Sequence, residues 1–91
     1  MAIKFHQMDV IKGLPSKLTV ERGEITVSGL IDALCETYGA HVRDSMLTRG
    51  GELDGELMLV VNGSVLKRDG MLSSVIPDGS EVLLSVIVAG G

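Results

Sequence analysis

The stretch Val27-Ser28-Gly29-Leu30-Ile31-Asp32-Ala33-Leu34-Cys35-Glu36-Thr37-Tyr38 decides how the rest of the chain is read. Its residues Val27, Leu30, Ile31, Leu34, Cys35 and Tyr38 recur at i, i+3, i+4, i+7, i+8 and i+11, which lays one apolar stripe along a helix of about three turns. Thr26 offers a hydroxyl to cap the start. Gly39 ends the helix, in the left-handed conformation that glycine adopts at little cost. Gly29, inside the helix, costs about 1 kcal/mol relative to alanine by propensity. Either the helix approaches the sheet closely there or the position simply tolerates glycine.

On both sides of this stripe the period falls to two. Residues 1–8 place Ile3 and Phe5 on one side and Lys4 and His6 on the other, the pattern of a half-buried strand. After the turn residues Gly13, Leu14 and Pro15, residues 16–22 repeat it with Leu18 and Val20 against Lys17, Thr19 and Glu21, so the two runs are predicted to pair as a hairpin. Beyond the helix, residues 40–47 form a short second helix with Val42, Met46 and Leu47 on one face, and residues 49–55 form a polar, glycine-rich loop. Leu57–Val61 is a continuous apolar run. Asn62-Gly63, the dipeptide most favourable to a tight turn, follows it, and Val65 and Leu66 continue on the return strand. Met71, Leu72 and Val75 belong to a short turn or helical piece that tucks inward. Pro77-Asp78-Gly79 then turns the chain into a last strand over residues 81–88, rich in β-branched residues.

Two hairpins flanking one helix predict an α+β chain, with the helix packed across one face of a mixed four- to five-stranded sheet. If the second hairpin lies beside the first, the first and last strands become parallel neighbours at its centre, the β-grasp layout. By parity Leu57, Leu59 and Val61, matched with Val82, Leu84 and Val86, face the helix. Met58, Val60, Leu83 and Ile87 then point to the open face, where apolar residues suggest a partner surface.

Ninety-one residues are one domain, long enough for a single modest core and too short for two. Residues 88–91 are expected to be a flexible tail, since Ala89 is small and Gly90 and Gly91 have no side chains to pack. A net charge of −4 argues against a phosphate-tracking nucleic-acid binder, and with only Phe5 and Tyr38 as aromatics there is no platform for stacked bases. Cys35 is the lone cysteine, so no intramolecular disulfide forms, and without an apolar leader the cytoplasm is the default location. No apolar run approaches the roughly 20 residues that cross a bilayer.

The set of pieces is more specific than any one of them. Thr26-Val27 opening a helix that carries Leu30, Ile31 and Leu34, then Val60-Val61-Asn62-Gly63, then Pro77-Asp78-Gly79-Ser80-Glu81-Val82, then Gly90-Gly91, resembles the ubiquitin-like sulfur carriers over nearly the whole length. These include the molybdopterin synthase small subunit and the thiamine-pathway sulfur carrier protein. Molybdopterin subunits usually carry prolines where this chain has Val86-Ile87-Val88-Ala89, so the pathway stays open between the two, or another that needs sulfur.

The resemblance implies a chemistry confined to the tail. The Gly91 carboxylate is adenylated at the expense of ATP by a partner resembling the ubiquitin-activating enzyme, and persulfide sulfur from a second partner converts it to a thiocarboxylate. An acceptor enzyme, such as a molybdopterin synthase large subunit or a thiazole synthase, then receives the sulfur. The chain is a carrier and not an enzyme, and it binds neither cofactor nor metal. Gly90, Ala89 and Val88 thread the tail into the partner's site, a passage that a Cβ at the glycines would obstruct.

Other chemistry has weaker support. His6 and His41 lack a ligand-spaced neighbour and read as surface residues. Cys35 sits at the edge of the helix's apolar stripe, where an inert thiol is the usual finding. Gly50-Gly51 has neither the lysine nor the spacing of a phosphate-binding loop. Two competing functions remain at this stage: a protein modifier that forms isopeptide bonds through Gly91, and a non-covalent interaction module built on the open face.

Overall fold

The computed structural model of the chain describes residues 1–87. The elements in order are β1 (Ile3–Gln7), β2 (Lys17–Val20), β3 (Ile25–Thr26), α1 (Val27–Tyr38), α2 (His41–Met46), β4 (Leu57–Val61), β5 (Ser64–Val65), a single 3₁₀ turn at Met71–Ser73, β6 (Val75–Ile76) and β7 (Glu81–Val86). The main sheet runs β2-β1-β7-β4-β5. Its central pair, β1 and β7, is parallel and every other pair in it is antiparallel. This is the β-grasp arrangement, with the first and last strands side by side and α1 supplying the cover. A second two-stranded sheet, β3 with β6, was not foreseen, because two-residue strands carry too little pattern to register. It also corrects the reading of Val75, which lies in β6 with its side chain exposed, whereas Met71 is buried as expected.

The stripe on α1 forms the middle of the core. Val27, Leu30, Ile31, Ala33 and Leu34 are buried, while Cys35 and Tyr38 are half-buried and pack on the core's edge. They meet Ile3 and Phe5 of β1, Leu57 and Leu59 of β4, and Val82 and Leu84 of β7 in one apolar cluster. Leu34 is 1% exposed. Leu34→Ala is therefore expected to lower stability by roughly 2 to 5 kcal/mol, as removed methyl groups and the cavity left behind both count. A shift in the urea midpoint measures it, and an unchanged midpoint would mean that the stripe does not carry the core.

The helix termini show one expectation met and one corrected. The Thr26 hydroxyl accepts the Gly29 N–H at 3.0 Å, a side-chain cap. Gly39 closes the other end through its N–H to the Cys35 carbonyl at 2.8 Å, with the positive φ expected of a glycine stop, but at φ 114°, ψ 163° it lies outside the left-handed helical region. The region it occupies is open essentially to glycine alone. Gly29 is explained by a close approach, made to β3 rather than to the main sheet: a Cβ there would stand 2.8 Å from Ile25 Cγ1.

Two turns fix the strands that lead to the chain's end. At Asn62 and Gly63 both φ angles are positive, as a two-residue hairpin loop requires, and Val61 pairs with Ser64. The Asn62 side chain reaches further, accepting the Glu81 N–H at 2.9 Å and donating to Ser80 Oγ at 3.1 Å. One asparagine thus makes the β4–β5 turn and ties it to the start of β7. The strand β7 ends at Val86, two residues before the predicted limit of 88; position 88 itself, with the rest of the tail, lies outside the described residues.

Candidate functional site

The alternation in β4 and β7 divides their side chains between two faces, and the register shows which meet. Leu57 pairs with Val86, Leu59 with Leu84 and Val61 with Val82 on the core side; Met58 pairs with Ser85 and Val60 with Leu83 on the open side. Leu59, Val82 and Leu84 are 0% exposed, whereas Met58, Val60 and Leu83 are half-buried. Val86 departs from expectation. It has core-side parity but stands at the end of its strand, where the cover has run out, and is 45% exposed.

Of the four residues assigned to a partner surface, the structure brings three together. Val60 and Leu83 are direct cross-strand neighbours, and Met58 is the next open-face residue along β4. Ile87 lies past the end of β7, 42% exposed, with its N–H donated to the Glu56 carbonyl at 2.7 Å. Two further members were not foreseen. Val65, 61% exposed, stands opposite Val60 across the hairpin, and His6 stands beside Leu83 across the parallel pair. The Asn62-Gly63 turn already implies the first, since a two-residue loop pairs 61 with 64 and 60 with 65. No local signal implies the second, because a parallel register is set by distant packing. Together His6, Val60, Gly63, Glu81, Val82 and Leu83 line a shallow groove of about 270 Å³. On its far side Lys4 and Lys17 border the patch through their pairing with Glu81 and His6.

The tail residues Val88, Ala89, Gly90 and Gly91 lie outside the described residues. What is described is the frame from which they depart. On one side of β7 the Met8 N–H reaches the Leu84 carbonyl at 3.3 Å, and Ser85 Oγ lies 3.6 Å from Met8 Sδ. Met8 begins a loop held by a buried side chain, Gln7: its Nε2 donates to the carbonyls of Ile11 (3.1 Å), Leu14 (3.0 Å) and Pro15 (3.3 Å), and its Oε1 accepts the Ile11 N–H. On the other side lies the 53–57 segment, which presents the Glu56 carbonyl to Ile87. Both loops are tied down by hydrogen bonds, so the end of β7 is held from two sides.

The remaining candidates fall elsewhere. His41 holds the Lys12 carbonyl with Nε2 at 2.9 Å, and His6 sits on the open face. Cys35 is a free thiol, half-buried on α1 and packed at the core's edge. Among the described residues no three His, Cys, Asp or Glu side chains are grouped to hold a metal ion, and no helix is long and apolar enough to cross a membrane. Gly50 and Gly51 belong to a turn closed by the Gly51 N–H on the Thr48 carbonyl at 3.0 Å.

Comparison with known proteins places this geometry. The model of the ThiS family matches residues 5–91. Among solved structures, SAMP1 of Haloferax volcanii, a small archaeal modifier protein, superposes with a TM-score of 0.74 at 22% identity, with 100% of each chain covered. A chain of the Amycolatopsis orientalis BexX/CysO complex gives a TM-score of 0.74 at 19% identity, covering 99% of this chain and 100% of that one. Urm1 of Trypanosoma brucei gives 0.68 at 20% identity, covering 99% and 95%. At such identities these likenesses establish the fold. No protein of curated function matches the sequence.

Proposed function

The chain belongs to the ThiS family of ubiquitin-like sulfur carriers, and from that premise we propose that it carries sulfur as a thiocarboxylate on Gly91. The observation that supports this reading most is that the family match extends through Gly90-Gly91 and does not stop at the folded sheet. In the proposed reaction a Gly91 carboxylate oxygen attacks the α-phosphorus of ATP on an activating enzyme and pyrophosphate leaves. The terminal sulfur of a partner's persulfide then attacks the acyl carbon, AMP leaves, and a thiol cleaves the resulting acyl disulfide to free the thiocarboxylate. The carrier is one β-grasp domain with a tail at residues 88–91, working in the cytoplasm. It supplies the acyl group and a docking surface; ATP, acid–base groups and the sulfur donor belong to its partners. A glycine at the reacting position leaves the acyl carbon open to attack, since no Cβ flanks it.

The docking surface is the open face at Met58, Val60 and Leu83, extended by Val65, with Ile87 at the tail's root. An apolar patch bordered by Lys4, Lys17 and Glu81 suits an enzyme surface with an apolar centre and a polar edge that carries both signs of charge. The acceptor is a molybdopterin synthase large subunit, a thiazole synthase or an enzyme of another sulfur-requiring route. Adding the purified chain to a lysate of its source cells should stimulate ATP–pyrophosphate exchange; no stimulation at any concentration would count against activation at Gly91.

A second reading is favoured by the resemblance to a modifier protein. The same activated Gly91 would pass to lysine amines, and the chain would then appear on immunoblots in bands of higher mass that resist thiol reductants. Cys35 separates scaffold from chemistry in either case. Because the sulfur comes from a partner and Cys35 packs against the core, Cys35→Ala is expected to lower the unfolding midpoint slightly and leave sulfur loading at the unsubstituted level. Loss of loading in the folded variant would make Cys35 part of the transfer.

A further inference from the structure

One side chain outside the sheet holds the ground from which the tail departs. The Arg68 guanidinium donates through Nη1 to the carbonyls of Leu53 (3.2 Å) and Asp54 (3.3 Å), and through Nη2 to those of Gly55 (3.2 Å) and Leu57. Four of the five carbonyls from 53 to 57 thus turn toward one cation. The fifth, Glu56, accepts the N–H of Ile87 at 2.7 Å, the last backbone bond before residue 88. With Gly55 and Leu57 held on either side, the intervening peptide plane has little freedom to rotate, and the Glu56 oxygen stays aimed at β7. Within the segment, the Leu57 N–H, which shares a peptide plane with the Glu56 carbonyl, bonds the Asp54 carbonyl at 3.0 Å, and Arg68 holds that same acceptor from outside; the Asp54 N–H on the Met46 carbonyl and the Glu56 N–H on Asp54 Oδ1 restrain donors alone. Charge strengthens the arrangement, because a guanidinium donor bonds about twice as strongly as a neutral one, and its planar fork serves several acceptors at once.

We propose that Arg68 is a positioning residue for the tail: by holding the carbonyls of 53–55 and 57 it keeps Glu56 bonded to Ile87 and so sets the direction in which the chain leaves β7. Its consequence for the carboxylate rests on the carrier reading above. A tail launched in one direction spends more of its time where an activating enzyme, docked on the open face, can use it. Loss of that direction lowers the rate of reaction in the docked complex and leaves docking unchanged.

The test uses the full chain with Arg68→Gln and Arg68→Lys. Amide exchange followed by NMR is expected to show the Ile87 N–H at least tenfold faster in R68Q and intermediate in R68K. The N–H groups of Lys4 and Asn62, bonded to Ser80 and Glu81 at the other end of β7, should keep their rates. If R68Q loses protection throughout, R68K decides by the same comparison. Equal Ile87 exchange in variant and unsubstituted protein, or an Ile87 amide unprotected in both, overturns the proposal. In ATP–pyrophosphate exchange with source-cell lysate and radiolabelled pyrophosphate, titration of the folded variants should lower the plateau rate about tenfold with the half-saturating concentration unchanged. A changed half-saturation with a constant plateau would assign Arg68 to docking and overturn its positioning role. Should the unsubstituted chain support no exchange, the carrier reading fails by itself, and the Ile87 amide alone decides whether Arg68 sets the exit.

Discussion

Deleting Gly91 is expected to abolish adenylate formation while leaving the thermal unfolding midpoint within error of the unsubstituted protein. The second half follows from residue type: Gly91 has no side chain to bury, and the core found among the described residues is built from side chains between Ile3 and Leu84. The first half follows from reach. An adenylating site must bring a carboxylate oxygen into line with the α-phosphorus, and shortening the chain by one residue withdraws it by up to about 3.5 Å, enough to lose the attack geometry. Appending residues after Gly91 should have the same effect, since the carboxylate is then an amide. Gly90→Val should impair activation through its branched Cβ with no change in midpoint. ATP–pyrophosphate exchange reads all three. A truncated chain that is activated at the normal rate would make the Gly-Gly pair incidental and put the interaction-module reading first.

The second large effect belongs to the open face. Val60→Asp sets a carboxylate between Leu83 and Val65, its cross-strand neighbours. In the free protein the side chain stays partly in water, so the cost is about 1 kcal/mol, from the poor fit of aspartate to a strand. Under a docked enzyme the charge would be buried without a partner, at roughly 3 to 5 kcal/mol, which weakens binding by more than a hundredfold. Val75→Asp is the control. Val75 is 57% exposed in the small β3–β6 sheet and plays no part in the patch, so its substitution should leave binding unchanged. Equal losses in both variants would mean a general effect of added negative charge on this acidic chain, and no loss in either would remove the open face from the account.

How much was legible in the sequence depends on the range of the interaction. The helix of Val27–Tyr38, its Thr26 cap and the Asn62-Gly63 hairpin follow from residues within a few positions of one another, and each is in the structure. The division of β4 and β7 into core and open faces follows from parity alone, apart from Val86, whose exposure depends on where the cover ends. Gln7 was available and overlooked: it shares parity with Ile3 and Phe5, so alternation places a polar group inside the core, where it must find hydrogen-bond partners. Arg68 was not available. A long charged side chain in a loop looks solvated until the fold shows carbonyls 11 to 15 residues away turned toward it. The His6 position beside Leu83 is hidden for the same reason, since the β1–β7 register joins residues nearly 80 positions apart.

The claim at the centre of the account is that Gly91 leaves the cell's own biosynthesis as an acyl carrier of sulfur. Intact-mass spectrometry of the chain purified from its source cells, without reductive alkylation, tests it most directly. A fraction of the protein should be heavier by the difference between one sulfur and one oxygen atom, with fragment ions placing the gain on Gly91 and its loss on mild hydrolysis. A protein recovered only with an unmodified carboxylate from cells engaged in sulfur-requiring biosynthesis, or with the added mass at Cys35, would contradict it.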